Sequence, residues 1–259
     1  MARQTDVARG WTIMVVRLST LVLFSLFVWM ILRSVNPSAA FPPTMVWANL
    51  ALLPVNVVCF VLVRRWYRAD NKNFSDVLGI QIGRVGRDVL WGLLWLFVMN
   101  IPFSLVVAGT VFAMYGADAP RAFETIFYNA NDDVITSPAW ALAVAIISVI
   151  PFMLINAPTE ELVYRGYALT GISRRFGPTI GVPSTSLLFG AQHVLFAASA
   201  SGMLVYFIAF TVWGAIAAVI ARRQGRLFPI VIAHWLINIM MSAPGIIFPA
   251  LALAGFAVF

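Results

Sequence analysis

Charge is scarce in this chain. Only 10% of its 259 residues are charged, while 61% are hydrophobic. Soluble domains carry about a quarter charged residues, so this balance excludes a protein built around a large soluble core. It reads as an all-α polytopic integral membrane protein. Cys59 is the only cysteine, which rules out an intrachain disulfide. No Gly/Ser linker, low-complexity tract or repeat divides the chain. The net charge of +7 is not spread as one basic stripe. The basic residues sit between apolar runs instead, as loop residues do under the positive-inside rule. That argues against a nucleic-acid partner and for the lipid bilayer.

Runs of roughly 15–25 apolar residues are membrane-span candidates at about 1.5 Å rise per residue. Eight such runs are expected, at about 11–32, 44–63, 89–114, 139–157, 180–198, 203–221, 228–243 and 245–259. With the N-terminus in the cytoplasm, thirteen Lys and Arg residues fall inside, Arg33 and Arg121 outside, and Arg17 and Arg165 within spans. This bias decides for an N-in topology. The outer loop 115–138 agrees, with Asp118, Glu124, Asp132 and Asp133 against Arg121 alone. The basic start, first apolar run and "PSAA" (37–40) resemble a signal peptide. The run is long for one, and later spans need an N-in anchor, so it reads as a retained span. Residues 73–90 are expected at the cytoplasmic interface, so that 1–88 form a two-span region with its interfacial segment and 89–259 the core.

Few strongly polar side chains remain at membrane depth: Arg17, Asn56, Asn100, Asn156, Glu160, Glu161, Arg165, Gln192, His193, His234 and Asn238. Both histidines of the chain are among them. Ionisable groups inside a membrane face cavities or partners, because burying them in hydrocarbon costs a few kcal/mol each. Counted from their cytoplasmic anchors, Glu160, Glu161, His193, His234 and Asn238 lie roughly 12–20 Å deep, inside a hydrocarbon core about 30 Å thick. Acid, imidazole and amide thus come to overlapping depths from three spans. His234 and Asn238 are i,i+4 and share a helix face. Glu161 and Arg165 have the same spacing and can pair. Glu160 points about 100° away from Glu161, so one acid faces a cavity and the other is held by arginine. Phe189 lies one turn before His193, and Asn156-Ala157-Pro158 is expected to break or bend the helix ahead of the acids.

A carboxylate beside imidazole can take a proton from water. A second imidazole with a carboxamide can donate to an oxyanion. Glu160, His193 and His234 could alternatively hold Zn²⁺. Both routes fit hydrolysis of a peptide bond within the membrane. No H-E-x-x-H, G-x-S-G or G-x-G-D is present.

"EELVYR" (160–165) resembles the E-E-x-x-x-R motif of the CAAX protease and bacteriocin-processing family, also called Abi or CPBP. "FGAQH" (189–193) is similar to its F-x-x-x-H motif, and "HWLIN" (234–238) to its H-x-x-x-N/D motif. The resemblance implies an eight-helix intramembrane endopeptidase acting on a membrane-associated protein or peptide, with the cavity expected to open toward the cytoplasm. It implies Glu160 as the base, His193 assisting, His234 and Asn238 stabilising the oxyanion, and Glu161 and Arg165 in support. The family has been described as metal-dependent and as metal-free. The metal-free reading is favoured, because His234 and Asn238 make a better donor pair than a full ligand set. Sixteen arginines against one lysine fit a GC-rich bacterial genome, hence a bacterial inner membrane. The alternatives are a non-catalytic immunity or chaperone-like protein using the same pocket, and a proton-coupled transporter. Arg17 is expected to snorkel or pair, and Asn56, Asn100 and Asn156 to act as interhelical glue.

Overall fold

The structure, a computed structural model, describes residues 2–127 and 137–256. Asp132 and Asp133 of the expected outer loop lie outside the described residues, as does the side chain of Glu124. Among the described residues all regular structure is helical. The order is α1 (Ala2–Val35), α2 (Met45–Ala69), α3 (Phe74–Leu78), α4 (Val85–Tyr115), α5 (Ala119–Ile126), α6 (Pro138–Glu160), α7 (Leu169–Phe176), α8 (Pro178–His193), α9 (Ala200–Gln224), α10 (Phe228–Ser242) and α11 (Pro244–Leu253). A π-helical stretch, Glu161–Ala168, joins α6 to α7 without a break.

Six segments among the described residues are long and apolar enough to cross a membrane, two fewer than expected. The shortfall has two causes. First, α8 has only 16 residues, about 24 Å of helix, and stops at His193 inside the bundle. Second, the expected spans 228–243 and 245–259 are one segment, Phe228–Leu253. Ala243 keeps helical angles (φ −56°, ψ −37°), so α11 continues α10 across Pro244. Residues 73–90, expected at the cytoplasmic interface, include the start of α4. They hold α3 and a single 3-10 turn before α4 begins at Val85.

The radial order of polarity is inverted relative to a water-soluble fold. Leu105 on α4 is 67% exposed, whereas the Arg17 side chain is fully buried. Hydrocarbon outside and a polar interior satisfy both, since a charge in lipid has no partner. Close helix approach relies on small residues. A Cβ on Gly190 of α8 would stand 2.6 Å from the Phe207 carbonyl oxygen of α9. Without one, the α8–α9 hairpin closes, and the ring of His193, three residues on, stacks on Phe210 (centroids 3.6 Å apart, 11° between planes).

The two ends of the bundle differ in charge. Ion pairs Arg9–Asp70, Arg174–Asp6 and Arg226–Asp88 cluster at the end where α1, α4 and α10 begin and α2 and α9 end. The opposite end is tied by hydrogen bonds between neutral groups: Tyr115 Oη donates to Ser201 Oγ (2.8 Å), and Ser199 Oγ to the Ile126 carbonyl (3.0 Å).

Candidate active site

Proline sets up the acids without interrupting their helix. Pro158 has no N–H to give the Leu154 carbonyl, four residues earlier. The indole Nε1 of Trp235 on α10 donates to that carbonyl instead (3.2 Å). The expected break is therefore absent: α6 stays helical through Pro158 to Glu160, and the irregularity is the π-helical stretch that follows. Such widened turns recur at functional sites.

From this junction the two glutamates diverge. Glu161 Oε1 accepts from Arg165 Nη1 (3.1 Å) and bonds His234 Nδ1 (2.9 Å). The Arg165 guanidinium lies 4.3 Å from the centroid of the Phe189 ring, and that ring stacks on Trp213. Glu161 and Arg165 thus stand behind the cavity wall as a buried pair, as their spacing predicts.

Glu160 is held by a residue from the far end of the chain. Its Oε1 accepts from Arg17 Nη2 (2.5 Å) and Gln192 Nε2 (3.0 Å). Arg17 spends its other donors on Gln192 Oε1 (2.8 Å), Asn56 Oδ1 (3.0 Å) and Asn156 Oδ1 (3.3 Å). Asn56 Nδ2 and Tyr164 Oη complete the network through Asn156 Oδ1 and Gln192 Oε1. Burying two charges costs several kcal/mol per ion, recovered only when geometry and added hydrogen bonds are good. Here the guanidinium fork is matched by four acceptor residues on three helices.

The expectation that Arg17 snorkels or pairs resolves as pairing, with the acid that faces the cavity. The signal was present in the sequence. A lone cation inside a hydrophobic helix needs an anion, and Glu160 was the one intramembrane acid not assigned to Arg165.

The other oxygen, Glu160 Oε2, is buried without a hydrogen-bond partner, and so is Asn238 Nδ2. Both residues line a cavity of about 390 Å³ together with His193 and His234. His234 Nε2 is 3.5 Å from Glu160 Oε2, so this ring bridges the two glutamates. His193 Nδ1 contacts the Phe189 carbonyl (2.6 Å). A carbonyl only accepts, so Nδ1 carries the proton and Nε2 keeps a lone pair. All four residues expected to act together therefore share one wall, with Asn100 and Asn156 beside them. The remaining lining, including Phe103, Phe152, Phe196 and Phe210, is apolar and aromatic. The cavity lining extends from Glu160 to Met45, Phe123 and Ser242, residues toward the end of the bundle remote from the ion-paired arginines.

Among the described residues no three His, Cys, Asp or Glu side chains converge as metal ligands. The guanidinium of Arg17 already occupies a cation's place beside Glu160.

Fold and site together define an integral membrane protein with an acid–imidazole–amide constellation enclosed in its helix bundle. Residues 136–240 match the family described as Rce1-like, type II CAAX prenyl endopeptidase Rce1-like. The stretch contains Glu160, His193, His234 and Asn238 but not Arg17. No curated protein and no solved structure matches the chain.

Proposed function

We propose that this protein is an intramembrane endopeptidase of the CAAX protease type, hydrolysing a peptide bond of a membrane-associated protein or peptide. The observation that carries the reading is the pair of unpartnered buried atoms, Glu160 Oε2 and Asn238 Nδ2, on one cavity wall with two imidazoles. Most buried polar atoms in folded proteins are hydrogen-bonded, so a wall that leaves an acceptor and a donor open suits a reactant that supplies their complements.

In the proposed reaction, water sits between Glu160 Oε2 and His193 Nε2. Glu160 takes its proton as the oxygen adds to the amide carbon. Arg17 holds Oε1, so Oε2 is the atom that receives the proton. Asn238 Nδ2 and His234 Nε2 donate to the oxyanion. With Nδ1–H committed to Glu161, Nε2 donates only while the ring carries both protons, and the flanking glutamates supply the compensating charge. Return of the proton from Glu160 to the leaving nitrogen breaks the C–N bond and releases a carboxylic acid and an amine. No metal is used, and activity is expected to survive a strong chelator.

The charge bias of the loops supports an N-in orientation in the bacterial inner membrane. In that orientation we place the cavity mouth on the non-cytoplasmic side, where the lining reaches Met45, Phe123 and Ser242, opposite to the cytoplasmic opening that the sequence leads one to expect. The aromatic walls suit an apolar segment of the substrate.

The test is Glu160→Gln. This variant keeps an acceptor for Arg17 but no base, so cleavage should fall by about 10²–10⁴-fold. Membrane proteomes of cells carrying the two forms, compared for new N- and C-termini, would show the lost products. If Glu160→Gln sustains full activity, the pocket serves binding rather than hydrolysis.

A further inference from the structure

A larger cavity, about 650 Å³, lies at the opposite end of the bundle. It shares no lining residue with the one containing Glu160, and Arg165, which holds Glu161, contributes to its wall. Its rim is cationic, with Lys72 after α2, Arg174 on α7, and Arg222 and Arg226 around the α9–α10 turn. Arg174 and Arg226 are paired with Asp6 and Asp88. Lys72 and Arg222 have no carboxylate partner among the described residues. The single acid in the lining, Asp76, is already an acceptor for Asn73 Nδ2 (3.3 Å).

Deeper in, the Tyr67 hydroxyl is buried without a hydrogen-bond partner. Tyr67 is only 3% exposed, so its hydroxyl cannot turn to water. Gly166, in the π-helical stretch, is what leaves room beside it. A Cβ there would lie 2.8 Å from Tyr67 Oη. Val77, Leu169 and Leu227 form the apolar part of the wall. Two free cations, an open hydroxyl donor and an apolar flank at the charged end of the bundle match one chemistry: a phosphate group on an amphiphile.

We propose that this pocket binds the phosphate headgroup of an anionic membrane lipid, with Lys72 and Arg222 supplying charge and Tyr67 donating from the floor. A soluble phosphate carries the same group, so the experiment separates the two sources. The full-length protein is reconstituted in phosphatidylcholine nanodiscs, with phosphatidylglycerol or inorganic phosphate added in separate arms. Bound lipid is read by native mass spectrometry and the unfolding midpoint by intrinsic fluorescence.

Phosphatidylglycerol should be retained and should raise the midpoint. Lys72→Gln and Arg222→Gln should each weaken retention roughly fivefold, and together about 30-fold. Tyr67→Phe removes only the open hydroxyl. It should weaken retention while leaving the midpoint in pure phosphatidylcholine unchanged, which keeps the test valid if the double variant folds poorly. Equal retention of the two lipids, or retention unaffected by all three substitutions, overturns the proposal. A midpoint raised by inorganic phosphate but not by phosphatidylglycerol overturns the lipid assignment in favour of a soluble anion.

Discussion

Removing the guanidinium of Arg17 would leave Glu160 Oε1 with Gln192 as its only donor. Breaking one side of a buried ion pair typically costs about 3–5 kcal/mol, so Arg17→Met should lower the unfolding midpoint sharply in detergent. Adding Glu160→Gln removes the stranded charge and should restore most of that stability without restoring activity. Asn238→Ala should behave in the opposite way. Its Nδ2 has no partner to lose, so the midpoint should move little, while loss of an oxyanion donor should lower kcat by about 10²–10³-fold. How readable each residue was depended on the range of its interactions. Glu161 and Arg165 were legible because an i,i+4 pair is local. The Arg17–Glu160 bond joins positions 143 apart in the chain, and no periodicity encodes a contact of that kind.

At the scale of helices, α8 shows how packing places a catalytic group. Its seam against α9 admits no side chain at Gly190. Gly190→Ala must therefore push the hairpin apart. Overpacking of this kind costs about 1–3 kcal/mol, and here it would also move His193 off Phe210. The expected signature is a fall in kcat larger than the loss in midpoint would explain, measured side by side on the purified variant. Hydropathy located the long helices well because lipid imposes a length and a composition on them. It overran the end of α8, since the residues after His193, "VLFAAS", are as apolar as a span. They turn because they are enclosed by protein, where irregular backbone is tolerated. The π-helical stretch was equally hidden. Pro158 signalled an irregularity, but the partner that keeps its helix intact, Trp235, belongs to a helix more than 70 residues away.

For the molecule as a whole, the charged end and the proposed cavity mouth lie on opposite faces, which makes orientation measurable. Cys59 is fully buried, so the native chain should be silent to a membrane-impermeant maleimide. Ser104→Cys, at the cavity wall, should then label from outside intact cells, and Arg223→Cys only in inverted vesicles. Labelling with the reverse sidedness would return the mouth to the cytoplasm while leaving the catalytic reading untouched. The matched segment, residues 136–240, holds the residues proposed to do chemistry, yet the cation that steadies their base comes from α1. The shared segment is therefore not a self-sufficient module in this protein. Grafted into a relative whose first helix lacks an arginine at the matching depth, it would carry over an acid with no counter-ion. Conversely, a chain severed after α1 should recover function when that helix is supplied as a separate peptide, with Arg17 as the one side chain the peptide cannot lack.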